Sequence, residues 1–232
     1  SEGRSGAQLL ADAIAAARKV DAVVFIGGLN KGDHQDSEGA DRLQLGLPYG
    51  QDAVIGALAE ANPNLAVVFV SGNAVAMPWI DRVPAVLEAW YSGSEAGNAL
   101  ADVLFGAVNP SGKLPFTFPV RLEDCSAHSA GEYPGEGQVV YRDGIFVGYR
   151  WIEKERIEPL FAFGHGLSYT TFEYGDLRPS ATTLRRGEKV TVEVSVTNTG
   201  GMDGAETVHW FISDPVCRIS RPVRELKHFE KQ

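Results

Sequence analysis

Asp33, His34, Asp36, Glu38, Asp41 and Arg42 fall within ten consecutive positions of the stretch 29–48, LNKGDHQDSEGADRLQLGLP. An apolar core has no use for so many ionisable groups, since each charged form forfeits its hydration on burial. They must therefore face water, a ligand or one another. A carboxyl group in such a loop can give and take protons, and Glu38 is the candidate for that work. The plain alternative is a solvated loop carboxylate. Asp33, His34 and Asp36 place two carboxylates and an imidazole within four residues, which raises cation binding. That ligand set is small and no second cluster accompanies it, so no metal is expected and the three read as polar loop residues. Asp41 and Arg42 are expected to hold the loop in one shape, as an internal ion pair or a backbone clamp, with ligand contact as the alternative.

The surrounding elements put this loop where ligands bind. Leu10, Ala13, Ile14, Ala17 and Val20 recur three or four apart, which predicts a helix over 6–20. Residues 23–26 form a short apolar run closed by Gly27 and Gly28, the pattern of a strand buried on both faces. Helical spacing returns over 51–61 through Val54, Ile55 and Leu58, and Asn62-Pro63 ends it. A second buried strand is expected at 65–70 and a third at 85–90. Ser94 and Glu95 then introduce a helix with Ala96, Leu100, Val103 and Leu104 on one side, and a short strand follows at 114–118. Strands alternating with helices imply the α/β class, a mostly parallel sheet flanked by helices. Such sheets bind ligands beyond the carboxyl ends of their strands, and 29–48 leaves the first strand at that end.

Beyond residue 120 glycine, proline and aromatic residues dominate. Short strands are expected at 139–141 and 145–151, with no long helix, in a segment that wraps one domain and reaches a neighbour. Tyr141, Tyr149, Trp151, Phe161, Phe163, His165 and Tyr169 read as rings sealing that contact, with a ligand platform as the sharper alternative; Trp79 carries the same two readings. Over 189–198, KVTVEVSVTN, valines alternate with polar residues as in a half-buried antiparallel strand. A turn cluster at 198–201 and a strand at 207–212 suggest the front half of a β-sandwich. The expected organisation is an α/β domain over 1–122, a wrapping segment over 123–170 and an incomplete all-β domain over 171–232.

Composition narrows the function. The chain of 232 residues carries a net charge of −9 without a cluster of Lys and Arg, which disfavours nucleic-acid binding. No apolar run approaches the ~18 residues of a membrane helix. Cys125 and Cys217 are the only cysteines; one bridge is conceivable, and two lone thiols are the commoner outcome. Gly27-Gly28 lacks the rest of a dinucleotide fingerprint, so close backbone packing is expected there. Ser71-Gly72 lacks a nucleophile-elbow pattern.

Four pieces in order carry a resemblance: SEGADRLQLGLPYGQDAVI, NPSGKLPFTFP, YRDGIFVGYRW and PLFAFGHGLSYTTFEY. Together they resemble the family 3 glycoside hydrolases, the β-glucosidase-like enzymes. The terminal VTVEVSVTNTGGMDGAETVHWFISDP resembles the opening of the fibronectin type III-like domain found in many members. The resemblance implies the carboxyl-terminal portion of a larger enzyme. Its partner would be an amino-terminal (β/α)8 barrel carrying an aspartate nucleophile, and no residue here matches that nucleophile's motif. The opening part of the α/β domain is also expected to lie before Ser1.

The same resemblance implies a retaining β-glycosidase acting on terminal β-glucosides or oligosaccharides, with no metal or organic cofactor. Such enzymes use two carboxyl groups about 5–5.5 Å apart, one protonating the leaving oxygen and one attacking the anomeric carbon. The glutamate of an EGxDR pattern takes the acid/base role and maps onto Glu38. A closed site and the neighbouring nucleophile would raise its pKa so that it keeps a proton to donate. His34, Asp36, Asp41 and Arg42 become substrate contacts or loop supports, His34 toward sugar hydroxyls. NPSGKLPFTFP is read as structural. By resemblance alone, a periplasmic or secreted location is favoured over a cytoplasmic one, and this chain by itself is expected to be inactive. The alternative from another class is a non-catalytic carbohydrate-binding or scaffold module.

Overall fold

A computed structural model describes residues 3–133, 135 and 137–232. Helix α1 (Gly6–Ala17) starts at Ser5, whose side chain accepts from the Gln8 amide while Gln8 reaches back to the Ser5 amide, a reciprocal cap. Its end is closed from a distance. The buried Asn62 donates through Nδ2 to the carbonyls of Ala17 and Val20, both at 2.9 Å. Asn62 also terminates α2 (Gln51–Ala61) in an extended conformation. One side chain thus ends one helix and satisfies the orphan carbonyls of another. Val20 lies beyond α1 and is exposed, so the expected stripe stops at Ala17.

Strands β1 (Val23–Gly28), β2 (Leu65–Val70) and β3 (Ala85–Glu88) pair in parallel in the order β1-β2-β3. The expected α/β class with a parallel sheet holds. Central β2 is buried on both faces, with Leu65, Val67, Val68 and Phe69 at 0–1% exposure. Strand β1 differs from expectation: Val24 and Ile26 remain 49% and 59% exposed. It is an edge strand, and α2, which packs on β1 and β2, covers one face only. Helix α3 (Ala96–Leu104) follows β3.

Trp79 resolves its two readings. It is 1% exposed, its ring lies 5.6 Å from Phe69 between centroids, and Nε1 donates to Asp52 Oδ1 at 2.9 Å. It is core. Residues 114–118 meet 161–165 in a ragged antiparallel pairing, with Phe118 and Phe161 exchanging backbone hydrogen bonds, in place of a full strand.

The segment after residue 120 departs from expectation. Short helix α4 (Ser126–Ser129) comes first, no strand forms at 139–141, and α5 (Tyr149–Glu155) replaces the strand expected at 145–151. Gly148, at φ 57, turns the backbone into α5, and Ile152 buries itself one turn along. A run this short and aromatic has no periodicity to separate the two forms. Pro134 and Glu136, in the same segment, lie outside the described residues.

Rings do bridge the two parts. Tyr149 stacks on Phe163 at 5.1 Å and meets Phe211 edge-on at 5.8 Å, while Phe161 packs against Phe118 of the α/β part. Tyr169, half-exposed, also reaches the α/β part, its hydroxyl donating to the Val103 carbonyl at 2.9 Å, whereas Tyr141 stays outside at 83% exposure. NPSGK is structural as expected. Asn109 accepts from Ser168 and Tyr169 and donates to the Asp203 carbonyl, and Lys113 pairs with Glu206 at 3.0 Å.

The remaining elements are antiparallel, as a fibronectin type III-like region requires. They comprise β4 (Phe172–Tyr174) with β7 (Val196–Asn198), β5 (Arg178–Pro179) with β6 (Val192–Glu193), and β8 (Thr207–Ile212) with β9 (Glu225–Lys231). The single strand expected over 189–198 is broken into β6 and β7. Val190 and Val192 are exposed rather than core, because no described strand packs over them. Cys125 and Cys217 are free thiols.

Candidate active site

The three parallel strands deliver their carboxyl ends to one edge. Gly28 pairs with Val70, and Phe69 with Glu88. Three loops leave that edge together, 29–50, 71–79 and 89–95. The first is closed at its neck by Gln51, which accepts from Gly28 N and donates to the carbonyls of Gly28 and Pro48. That explains the glycine pair. A Cβ on Gly27 would stand 2.3 Å from Gln51 Oε1, and one on Gly28 2.2 Å from the Val70 carbonyl. Close backbone approach, the expected reading, accounts for both.

Inside the loop, the buried Gln35 accepts from Asn30 N and donates to Tyr49 OH. His34 adopts a left-handed backbone, φ 59, and its Nδ1 donates to the Asp41 carbonyl at 2.9 Å. Asp36 Oδ2 accepts from Gly72 N at 2.6 Å and Tyr91 OH at 2.8 Å, joining all three loops through one carboxylate. Arg42 donates to the carbonyls of Ala74 (2.6 Å) and Leu45 (2.8 Å). Burial lowers the pKa of its guanidinium, and the charges of Asp36 and then Tyr91 oppose that. Arg42 is thus a backbone clamp and makes no ion pair with Asp41. Asp41 is exposed, and its carboxylate raises the pKa of the Tyr133 phenol.

Glu38 stands apart from this bracing. It occupies the turn 37–40, where Ser37 Oγ donates to the Ala40 carbonyl and Gly39 takes φ 85. A Cβ on Gly39 would meet nothing within 4 Å, so backbone conformation and not space calls for glycine beside Glu38. Glu38 itself is exposed, and no described residue holds its carboxylate by a hydrogen bond or ion pair. Asp33 is exposed too, and it does not converge with His34 and Asp36, which point to separate partners. Among the described residues no group of three or more His, Cys, Asp or Glu stands close enough to hold a metal ion. Chemically, the loop presents Glu38 as an unengaged carboxyl group at its turn, with Asp33 and Asp41 also exposed, while His34, Asp36 and Arg42 are taken up in holding the loop.

Sequence reasoning gave no site role to Glu88, Tyr91, Gly72 or Gln51. Glu88 ends β3, with Oε1 accepting from Trp90 N and Oε2 3.1 Å from Ser71 Oγ. Burial pushes its pKa up to about 7; hydrogen bonds from Trp90 and Ser71 oppose the rise, and the charge of Asp36 adds to it. Burial, reinforced by Asp36, likewise pushes Tyr91 up to about 12. An acidic residue inside the otherwise apolar run 85–90 was the available signal.

The bracing predicts how the loop responds to loss of Arg42. Each charge-assisted hydrogen bond contributes roughly 1.5–3 kcal/mol, and removing the guanidinium leaves two carbonyls unpaired. Arg42→Ala is expected to lower urea-unfolding stability by about 2–4 kcal/mol. Arg42→Lys should recover less than half of that, because an ammonium cannot span both carbonyls as a fork.

The description Glycosyl hydrolase family 3 C-terminal domain matches residues 4–169. A beta-glucosidase of Bacteroides ovatus is 51% identical over 223 residues, covering 95% of this chain and 30% of that protein. A probable beta-glucosidase I of Emericella nidulans is 47% identical, covering 97% of this chain and 27% of its own length. Among solved structures, a beta-glucosidase of Kluyveromyces marxianus superposes with a TM-score of 0.91 at 40% identity, over 100% of this chain and 27% of that one. DesR, a beta-glucosidase of Streptomyces venezuelae solved with D-glucose, gives 0.89 at 38% identity, over 97% of this chain and 28% of that one. The chain therefore spans 27–30% of the length of these relatives. With its sheet, its braced loop and a match over most of its length, the chain belongs to the glycosyl hydrolase family 3 C-terminal domain family.

Proposed function

We propose that this chain supplies the general acid/base of a retaining β-glucosidase, with Glu38 as that group. The observation that carries the reading is the contrast within one loop: His34, Asp36 and Arg42 are engaged in holding it, while Glu38 is exposed and unengaged at its turn. A proton donor must reach a substrate outside its own fold, and an unpaired carboxyl group on a braced loop meets that need. Asp33 is exposed and unengaged as well, and the resemblance of SEGADR to the family's EGxDR pattern selects Glu38 between them. The relatives' names, all beta-glucosidases, supply the substrate class. In this reading a (β/α)8 barrel provides the sugar pocket and the aspartate nucleophile. Glu38 protonates the departing glycosidic oxygen, then removes a proton from the water that releases the sugar. His34, Asp36 and Arg42 act as loop supports, and Asp41, beside Tyr133, is left as the contact available to substrate.

The test is to separate the parts. This chain alone is expected to show no hydrolysis of an aryl β-glucoside above a buffer control, and mixing it with a separately produced barrel is expected to restore turnover. Strong activity from this chain alone would overturn the division of labour. Sugar binding by the chain without hydrolysis in the mixed sample would replace the enzymatic reading with a binding one.

A further inference from the structure

We propose that Glu88 is a positioning residue for the catalytic loop: held neutral, it fixes the turn 71–73 and, through Gly72 and Asp36, the backbone that presents Glu38. The inference deepens the proposed role of Glu38 and rests on it. Its basis is a count of protons. Ser71, fully buried, stands 2.9 Å from the Asn73 carbonyl and 3.1 Å from Glu88 Oε2. A serine hydroxyl has one proton to donate; a carbonyl and an ionised carboxylate only accept. With Glu88 ionised the single hydroxyl proton must be shared between two acceptors as a weakened three-centre bond. Both contacts are full hydrogen bonds when Glu88 Oε2 carries a proton and donates it to Ser71 Oγ, which in turn donates to Asn73. The Trp90 amide occupies the other oxygen, Oε1. A neutral Glu88 therefore joins the end of β2 to the turn after β3.

The groups facing this carboxyl agree with that assignment. Asp36 reaches it from the first loop and Tyr91 from the third, and Arg42 faces Asp36 and Tyr91 rather than Glu88 itself. Asp36, accepting from Gly72 N and Tyr91 OH, is the carboxylate of the pair, and Arg42 is the balancing cation. A second negative charge at Glu88 would oppose Asp36. It would also draw the Ser71 proton away from Asn73, loosening the turn whose Gly72 amide anchors Asp36 two residues before Glu38. The sign follows. Burial raises the pKa of Glu88 in the folded chain to about 7, so the bracing is complete below that pH and is lost as pH rises through it. Relative to the unfolded chain, stability falls from the ordinary carboxylate range up to about pH 7 and levels off above.

Carbon-13 NMR of the whole 232-residue chain, with only glutamate side-chain carboxyls labelled, reads this directly. The Glu88 carbon is expected to titrate near about 7. The amides of Asp36, Glu38 and Gly72 should shift with the same midpoint, and Gly72 should exchange with solvent faster above it. Glu88→Gln, whose amide donates to Ser71 and accepts from Trp90, should abolish the midpoint and keep Gly72 protected. Glu88→Ala should leave Gly72 exchanging fast at every pH. Titration of Glu88 in the ordinary carboxylate range would overturn the proposal, as would loop amides indifferent to its proton. Should Glu88→Gln fail to fold, the unmodified chain's titration decides alone. None of these readouts involves hydrolysis, so a dispensable Glu38 would show in activity assays and leave the coupling of Glu88 to the loop measurable.

Discussion

Glu38→Ala, introduced into an enzyme in which this chain is joined to its barrel, is expected to lower kcat on unactivated β-glucosides by about 10²–10⁴-fold, the usual yield of a positioned acid/base. The loss should depend on the leaving group. An aryl glucoside with an acidic phenol departs without a proton, so its glycosylation step should be nearly spared. Hydrolysis of the glycosyl-enzyme would then limit turnover, because the base that activates water is gone. Azide, which attacks without deprotonation, should restore turnover and yield the glycosyl azide. Equal losses on all substrates, with no azide rescue, would remove Glu38 from the acid/base role. Stability should be unaffected, since Glu38 is exposed and makes no described contact; that separates a chemical effect from unfolding.

The second large effect concerns the core that carries the loop. Trp79 fills space against Phe69, and its Nε1 donates to Asp52, whose other oxygen accepts from Leu47 N at the end of the loop. Trp79→Ala would open a cavity and leave the Asp52 carboxylate without its indole partner. The expected cost is about 3–5 kcal/mol in urea unfolding of this chain. Trp79→Phe, which keeps much of the ring and loses the donor, should cost roughly 1–3 kcal/mol. A loss below about 1 kcal/mol for alanine would mean that the indole is not held as described. The same variants should increase hydrogen exchange in the loop around Leu47, because Asp52 couples the indole to that backbone.

Much of this chain was written in local pattern. Apolar runs ended by glycine at 23–28 and helical spacing at 51–61 placed β1 and α2 within two residues of where they lie. The alternation of strand and helix required a parallel sheet, and with it a loop at the carboxyl edge. Glu38 was singled out as a candidate by a local motif, SEGADR, whose residues are neighbours in the sequence and in the loop alike. Where local pattern is weak, expectation failed. Residues 145–151 carry aromatic and β-branched side chains suited to a strand, yet Gly148 and the burial of Ile152 select a helix from 149 onward. The run 189–198 alternates as a strand should, but a strand's extent depends on partners, and β4 and β5 pair with only parts of it.

Tertiary structure alone decided what the polar residues do. Asp36 meets Gly72 and Tyr91, 36 and 55 positions away, and Arg42 grips Ala74, 32 positions away. No spacing rule reaches across such intervals, because those contacts exist only once three strands are in register and their loops share an edge. The protonation of Glu88 belongs to the same level. Its environment is assembled from the ends of two strands and the loops that follow them, and it is the burial made by that assembly, not the residue type, that pushes its pKa up to about 7.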